Sequence, residues 1–210
     1  MDPFKSHLKL ENQPPEILIK ITTLLPFTAG SNLARTSKKM YRTLNRDLYK
    51  QSGKHLNWLP LFYGAHVINT GTLERCLEAG APIDHCYPED PWFKKFTFSN
   101  LDFHPPRLGW RPLRQAISEY SVEAVKWLLA HGADPNETAD EVDLMPCRQL
   151  PLTLAFRRGH GRLEKSLPAR AMIIALYEAG ADLSMMEPGE IEEIEHMVSD
   201  STYLSFYWWI

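Results

Sequence analysis

The chain has 210 residues, a formal net charge of −3 and three cysteines. That length suits one core, or a small domain followed by a short repeat array. The charge leaves no basic footprint for nucleic acid. No segment reaches the 18 or more apolar residues of a membrane span, and the opening MDPFKSHLKLENQ has no apolar core for a signal peptide. Cys76, Cys86 and Cys147 are odd in number and show no C-x-x-C pairing, which points to thiols in a reducing compartment, cytoplasmic or nuclear.

Residues 1–12 read as a polar lead-in. Pro14-Pro15-Glu16 then opens a helix, with proline tolerated in the first turn and glutamate favourable to the helix dipole. Ile17, Leu18, Ile21, Leu24 and Leu25 form its apolar stripe, and Pro26 ends it. Ser31 is placed to cap a short helix carrying Leu33 and Ala34. A third helix, about Lys38–Tyr49, presents Tyr41, Leu44 and Leu48 on one side and turns Lys38, Lys39, Arg42 and Arg46 outward. Residues 51–70 continue through Leu56, Trp58, Leu59 and Leu61, with Trp58 read as a packing residue.

The stretch Arg111–Asn136 organises the rest. Pro112-Leu113 opens one helix-period segment, and Ser121 is placed to cap a second, in which Val122, Val125, Leu128 and Leu129 share a face. Gly132-Ala133-Asp134 closes it, with the glycine free to take the left-handed conformation that ends a helix. Two short apolar-faced helices cannot bury their hydrophobic sides alone, so copies are expected. Gly80-Ala81-Pro82-Ile83-Asp84 and Gly180-Ala181-Asp182-Leu183-Ser184 repeat the turn, and Pro60-Leu61 and Pro151-Leu152 repeat the opener.

The glycines lie 52 and 48 residues apart, against about 33 in the ankyrin repeat, which these turns and openers resemble. The excess places insertions before Pro112, before Pro151 and around Gly161–Arg170. Only nine residues separate Gly71 from Gly80, so the second helix of the first copy is expected to lose a turn. The insertion 85–110 gathers Tyr87, Trp92, Phe93, Phe96, Phe98, Phe103 and Trp110 with four prolines. It reads either as a loop folded on its own aromatics or as a stiffened target-binding loop, with Tyr87, Trp92, Phe93, Phe96 and Trp110 as the contacts. Pro188-Gly189 introduces a helix with Ile191, Ile194, Met197 and Val198 dry and Glu190, Glu192, Glu193 and Glu195 wet. Residues 185–210 read as a C-terminal cap with an aromatic tail.

Two family resemblances cover most of residues 13–184. Residues 51–184 resemble about three diverged ankyrin repeats, on the Pro-Leu openers, Ala116 and Ala155 at the small position of the first helix, Gly159-His160 between helices, and the Gly-Ala turns. Arg114 and Thr153 stand where that family has histidine, and Arg111 and Leu150 where it has threonine, which implies lost opening-turn hydrogen bonds. Residues 13–50, with Pro14-Pro15-Glu16-Ile17-Leu18 and then Asn32-Leu33-Ala34-Arg35-Thr36-Ser37-Lys38-Lys39-Met40-Tyr41, resemble the F-box, with Gln13 replacing its leading leucine. The expected fold is therefore all-α: a three-helix F-box-like module followed by a short ankyrin-repeat solenoid with loop insertions.

The resemblance implies the substrate-receptor subunit of a Skp–cullin–F-box ubiquitin ligase. Pro14, Pro15, Ile17, Leu18, Ile21 and Leu33 would meet the Skp-type adaptor, and the ankyrin region would hold an unidentified target protein. The alternative is a ligase-independent ankyrin scaffold or inhibitor whose N-terminal helices are only a cap. No Gly-rich phosphate loop, G-x-S-x-G or H-E-x-x-H is present, and His85, Cys86 and His104 match no common zinc spacing. The chain is expected to perform no bond chemistry and to need no cofactor, metal, nucleic acid or membrane.

Overall fold

The computed structural model describes residues 9–87, 106, 109–138, 150–159 and 163–199, without the side chains of 163–166. The described residues are helical and contain no strand. They form a 3-10 turn at Leu10–Asn12 and then α1 (Pro15–Thr23), α2 (Phe27–Ala34), α3 (Lys38–His55), α4 (Leu59–His66), α5 (Thr70–Glu78), α6 (Pro112–Ser118), α7 (Val122–Ala130), α8 (Pro151–Gly159), α9 (Leu163–Glu178) and α10 (Pro188–Ser199). The chain divides into two compact units. One holds Met1–Leu61 and Gly71–Pro82, and the other holds Phe62–Thr70 and Ile83–Ile210.

In the first unit, α1 and α2 pack on α3. Prolines set the helix starts: Pro15 occupies the first position of α1, and Pro26, after its end, precedes α2. Ser31, expected as a cap, lies inside α2 instead, because that helix already starts at Phe27, four residues earlier, behind Pro26. Ser37 caps α3 by accepting from the Met40 N–H at 3.2 Å. Leu18, Ala34, Met40 and Leu44 form the core, with Ile19 and Leu33 packed against it. Every fourth residue of α3, from Met40 through Leu44 and Leu48 to Ser52, is buried. This helix runs to His55, past the boundary expected at 50. Trp58 lies over Gly53, as a packing residue should. Within this unit the Arg75 Nε of α5 donates to the Tyr41 hydroxyl of α3 at 2.7 Å.

The second unit stacks α6 on α7 and α8, α9 on α7 and α8, and α10 on α9. Leu113, Ala116, Ile117, Val125, Leu128, Leu152, Ala155, Met172 and Leu176 are fully buried. A Cβ on Gly159 would run into the Ala169 side chain, so that glycine lets α8 and α9 approach closely. The insertion expected as a loop around 161–170 is largely helix, since α9 starts at Leu163 and carries Pro168 inside it. The helix α5 has lost no turn. It is nine residues long, as is α7, because it starts at Thr70, ahead of Gly71. On α10, Ile194 is buried and the glutamates face out or partly out.

The helix-ending turns are three copies of one geometry. Gly80, Gly132 and Gly180 have φ of +98°, +91° and +87°. In each copy the glycine N–H bonds three residues back, to Leu77, Leu129 or Tyr177, and the alanine N–H bonds five back, to Cys76, Leu128 or Leu176. Ile68 and Tyr120 lie twelve residues before Gly80 and Gly132 respectively. They share a φ of +56° and +57°, and the next N–H in each case bonds five residues back. Two side chains, one of them β-branched, thus sit in the region that glycine prefers.

These backbone angles generate opposite expectations for two substitutions. Gly132→Ala meets no clash but must hold a left-handed φ, and should lose about 1–2 kcal/mol. Ile68→Gly, at an exposed position, should gain about 1 kcal/mol by releasing the same strain. Urea unfolding monitored by circular dichroism measures both.

Candidate docking surfaces

On α1 the apolar stripe is split between two jobs. Leu18 is 1 % exposed and Thr22 is buried, its hydroxyl donating to the Ile19 carbonyl at 2.7 Å. These two residues face α3. Ile17 is 46 % exposed, Leu24 is 81 % exposed and Ile21 is half-buried. At 100° per residue, Ile17, Ile21 and Leu24 make one row beside the buried face. Pro14 and Pro15 are exposed at its N-terminal end, and Leu25 is exposed past its C-terminal end. Leu18 therefore corrects the expected adaptor set, because its side chain is core. Leu33 is half-buried against the same core. Leu24, absent from that set, is 81 % exposed, more than any other large apolar side chain among the described residues. Periodicity marked the stripe but not which flank of it the core would take.

In the second unit, the insertion begins and ends on a short neck. The Tyr87 N–H donates to the Trp110 carbonyl at 2.8 Å, and the Gly109 N–H donates to the Tyr87 carbonyl at 2.9 Å. Tyr87 and Trp110 are both buried. The Tyr87 ring sits edge-on to Phe62 at 5.3 Å between centroids. These two aromatics are neck residues that pack internally, which corrects their assignment as target contacts. Trp92, Phe93 and Phe96 lie outside the described residues, as do His104 and Cys147.

Below the neck lies a buried ionic cluster. Arg114 and Glu137 are each 2 % exposed. The Arg114 Nε donates to Glu137 Oε1 at 2.6 Å, and its Nη2 donates to the Glu137 carbonyl at 3.3 Å. Arg111 approaches Glu137 Oε2 at 3.3 Å and donates to the Asp84 carbonyl at 2.9 Å. Arg114 thus does not lose a turn bond. It reaches the turn that follows α7 by a longer side chain. Burial pushes the Glu137 carboxyl up to about 7, against the downward pull of Arg114 and then Arg111. A lone arginine in an apolar helix opening was the only sequence signal for this cluster, since its partner lies 23 residues away.

The turns themselves are cross-linked. The Asp84 carboxylate accepts from the Asp134 N–H at 3.2 and 3.3 Å. Asn136 donates through Nδ2 to the Gly180 carbonyl at 3.0 Å and accepts at Oδ1 from the Asp182 N–H at 2.6 Å. Within the second and third turns, Asp134 and Asp182 each accept from the N–H two residues on, at 2.8 Å. The opposite ends of the helices are tied as well. The Ser121 Oγ, expected to cap α7, instead donates to the His66 carbonyl at 3.2 Å. The Tyr120 hydroxyl donates to the Arg158 carbonyl and Arg158 donates to the Ser118 carbonyl, both at 2.8 Å.

Cys76 is buried, which pushes its thiol up to about 12 and leaves it unreactive. Among the described residues, no three His, Cys, Asp or Glu side chains are grouped to hold a metal, and no helix is long and apolar enough to cross a membrane. No family model matches the chain, and no curated protein matches it.

Removing one partner of the buried pair should cost more than removing both. Arg114→Met leaves Glu137 with Arg111 alone, at the longer distance of 3.3 Å, and is expected to lose about 3–5 kcal/mol, whereas Arg114→Met with Glu137→Leu should recover most of that. The pH dependence has a definite sign. The folded carboxyl binds its proton up to about 7 against an ordinary 4.5, so the folded state holds more protons between these values. Stability from this group therefore falls as pH rises from 4.5 to 7, and Glu137→Gln should flatten that part of the profile. Chemical unfolding at pH 5 and pH 8 reads both effects.

Proposed function

We propose that the chain is a tethering adaptor of a Skp–cullin–F-box ubiquitin ligase. Its first unit would dock the Skp-type adaptor, and its second, built on ankyrin-like repeats, would hold a target protein. The observation that carries this reading is the row of exposed Ile17, half-buried Ile21 and exposed Leu24, behind two exposed prolines, on a helix whose core side is already filled by Leu18 and Thr22. An apolar helix face left in water is a docking face for a partner's helices. Covering it is worth roughly 1.5–3 kcal/mol for each aliphatic side chain fully buried. The docking set is then Pro14, Pro15, Ile17, Ile21 and Leu24, with Leu33 behind it.

Target capture falls to the insertion between Tyr87 and Gly109, held at its neck while Trp92, Phe93 and Phe96 occupy its length. The chemistry would be done by the ligase. The chain's contribution is effective concentration, which rises when target and ligase share one molecule. A second reading is favoured by one observation. The Arg75–Tyr41 hydrogen bond groups α5 with the N-terminal helices, as expected of a cap on a repeat array. In that reading the chain is a ligase-independent ankyrin scaffold or inhibitor.

Co-purification with the Skp-type adaptor of the same host separates the two. Wild type should retain a stoichiometric adaptor. Ile17→Asp with Leu24→Asp should lose it while keeping the wild-type circular dichroism spectrum, because both positions are exposed. Leu18→Asp is the contrasting variant and should unfold the first unit. A folded wild type that retains no adaptor sinks the ligase reading and leaves the scaffold.

A further inference from the structure

The helix α3 has two rows of side chains at four-residue spacing. One row, Met40, Leu44, Leu48 and Ser52, is buried. The other, Lys38, Arg42, Arg46, Lys50 and Lys54, is exposed along its whole length. The rows are offset by two positions, hence by about 200° around the helix, so they lie on opposite sides. Lys39, beside the exposed row, and Arg35, just before the helix, are exposed too. Residues 35–54 carry seven basic side chains and one acidic one, so with the chain at −3 the remainder carries −9.

This charge is not spent on the described residues. None of the seven basic side chains has an ion-pair or hydrogen-bond partner among the described residues. At about 1.5 Å per residue the row from Lys38 to Lys54 is about 24 Å long. Its N-terminal end is concave: Arg35, Ser37, Lys38, Tyr41 and Arg42 line an open hollow of about 310 Å³. The Tyr41 wall is fixed by Arg75, whose Nε bonds its hydroxyl and whose guanidinium lies 5.8 Å from its ring centre. An anion in the hollow meets three cations, Arg35, Lys38 and Arg42, whose side chains pair with no described residue.

We propose that this ridge docks an acidic segment of another protein, with one carboxylate seated among Arg35, Lys38 and Arg42. About seven extended residues at roughly 3.3 Å each match the length of the ridge. Guanidinium pairs with carboxylate bidentately, which gives the hollow its preference over the open row. A protein segment fits better than nucleic acid on two counts. The Tyr41 ring at the hollow has Arg75 over it, and the exposed row itself holds no aromatic side chain on which a base could stack. The remaining chain, at −9 net, offers a long polyanion no general attraction beyond the ridge. The ridge is on α3 and the apolar row on α1, so this proposal stands whether or not a Skp-type adaptor binds.

The test is fluorescence anisotropy of the full chain with a labelled octaglutamate peptide and, in parallel, a labelled DNA duplex, at 50 mM salt. Octaglutamate should bind, and more tightly than the duplex. Lys38→Glu/Arg42→Glu/Arg46→Glu should weaken peptide binding about tenfold or more, while Lys126→Glu, an exposed reversal on α7, should change it less than twofold. If the reversed variant does not keep the wild-type helical spectrum, Lys38→Gln/Arg42→Gln/Arg46→Gln replaces it, with at least a threefold loss expected. Absence of peptide binding, an unchanged affinity in the folded ridge variant, or tighter binding of the duplex each overturns the proposal.

Discussion

The hydrogen bonds from one helix-ending turn to the next set the register of the second unit. A side chain four residues past the glycine of one turn accepts the N–H two residues past the glycine of the next. Asp84 does this for Asp134, and Asn136 does it for Asp182. The helices between these turns are short; α6 has seven residues and α7 nine. Isolated helices of that length are not stable in water. They persist because stacking buries Leu113, Ile117, Val125, Leu128 and Leu152, and stacking needs the turns aligned. Bonds at the other helix ends, from Ser121, Tyr120 and Arg158, hold the same alignment from the opposite side.

This arrangement explains how the unit carries long insertions. The backbone of Asp84 holds Arg111 while its carboxylate holds Asp134, so a single residue anchors both the neck of the insertion and the turn ladder. Glu137 gathers Arg111 and Arg114 beneath them. The two ends of the insertion are fixed by backbone pairing between Tyr87 and Gly109–Trp110. Loops held at their ends by a rigid frame are where binding roles are commonly carried.

The parts legible in the sequence were those with a local physical cause. Gly80, Gly132 and Gly180 announced themselves because a left-handed residue ending a helix selects glycine, and all three take that conformation. The wet and dry faces of α10 and the outward cations of α3 followed from periodicity alone. What stayed hidden depends on residues far apart in the chain. Leu18 and Ile17 are neighbours on one stripe, and only the position of α3 decides that the first is core and the second exposed. Tyr87 and Trp110 looked like binding aromatics until their backbones were seen to pair. Arg114 looked like a lost turn bond, because nothing local points to Glu137. The stretch around 161–170 looked like a loop by length, yet most of it extends α9.

The first unit has two separate outward faces, an apolar row on α1 and a cationic row on α3, around a core that neither row supplies. The proposed function requires the α1 row to dock a Skp-type adaptor. Hydrogen–deuterium exchange on the full chain, alone and with the adaptor of the same host, tests this most directly. Exchange across Pro14–Leu25 should slow on addition of adaptor, with exchange in Arg111–Glu137 unchanged. Unchanged exchange across Pro14–Leu25 at saturating adaptor would contradict it.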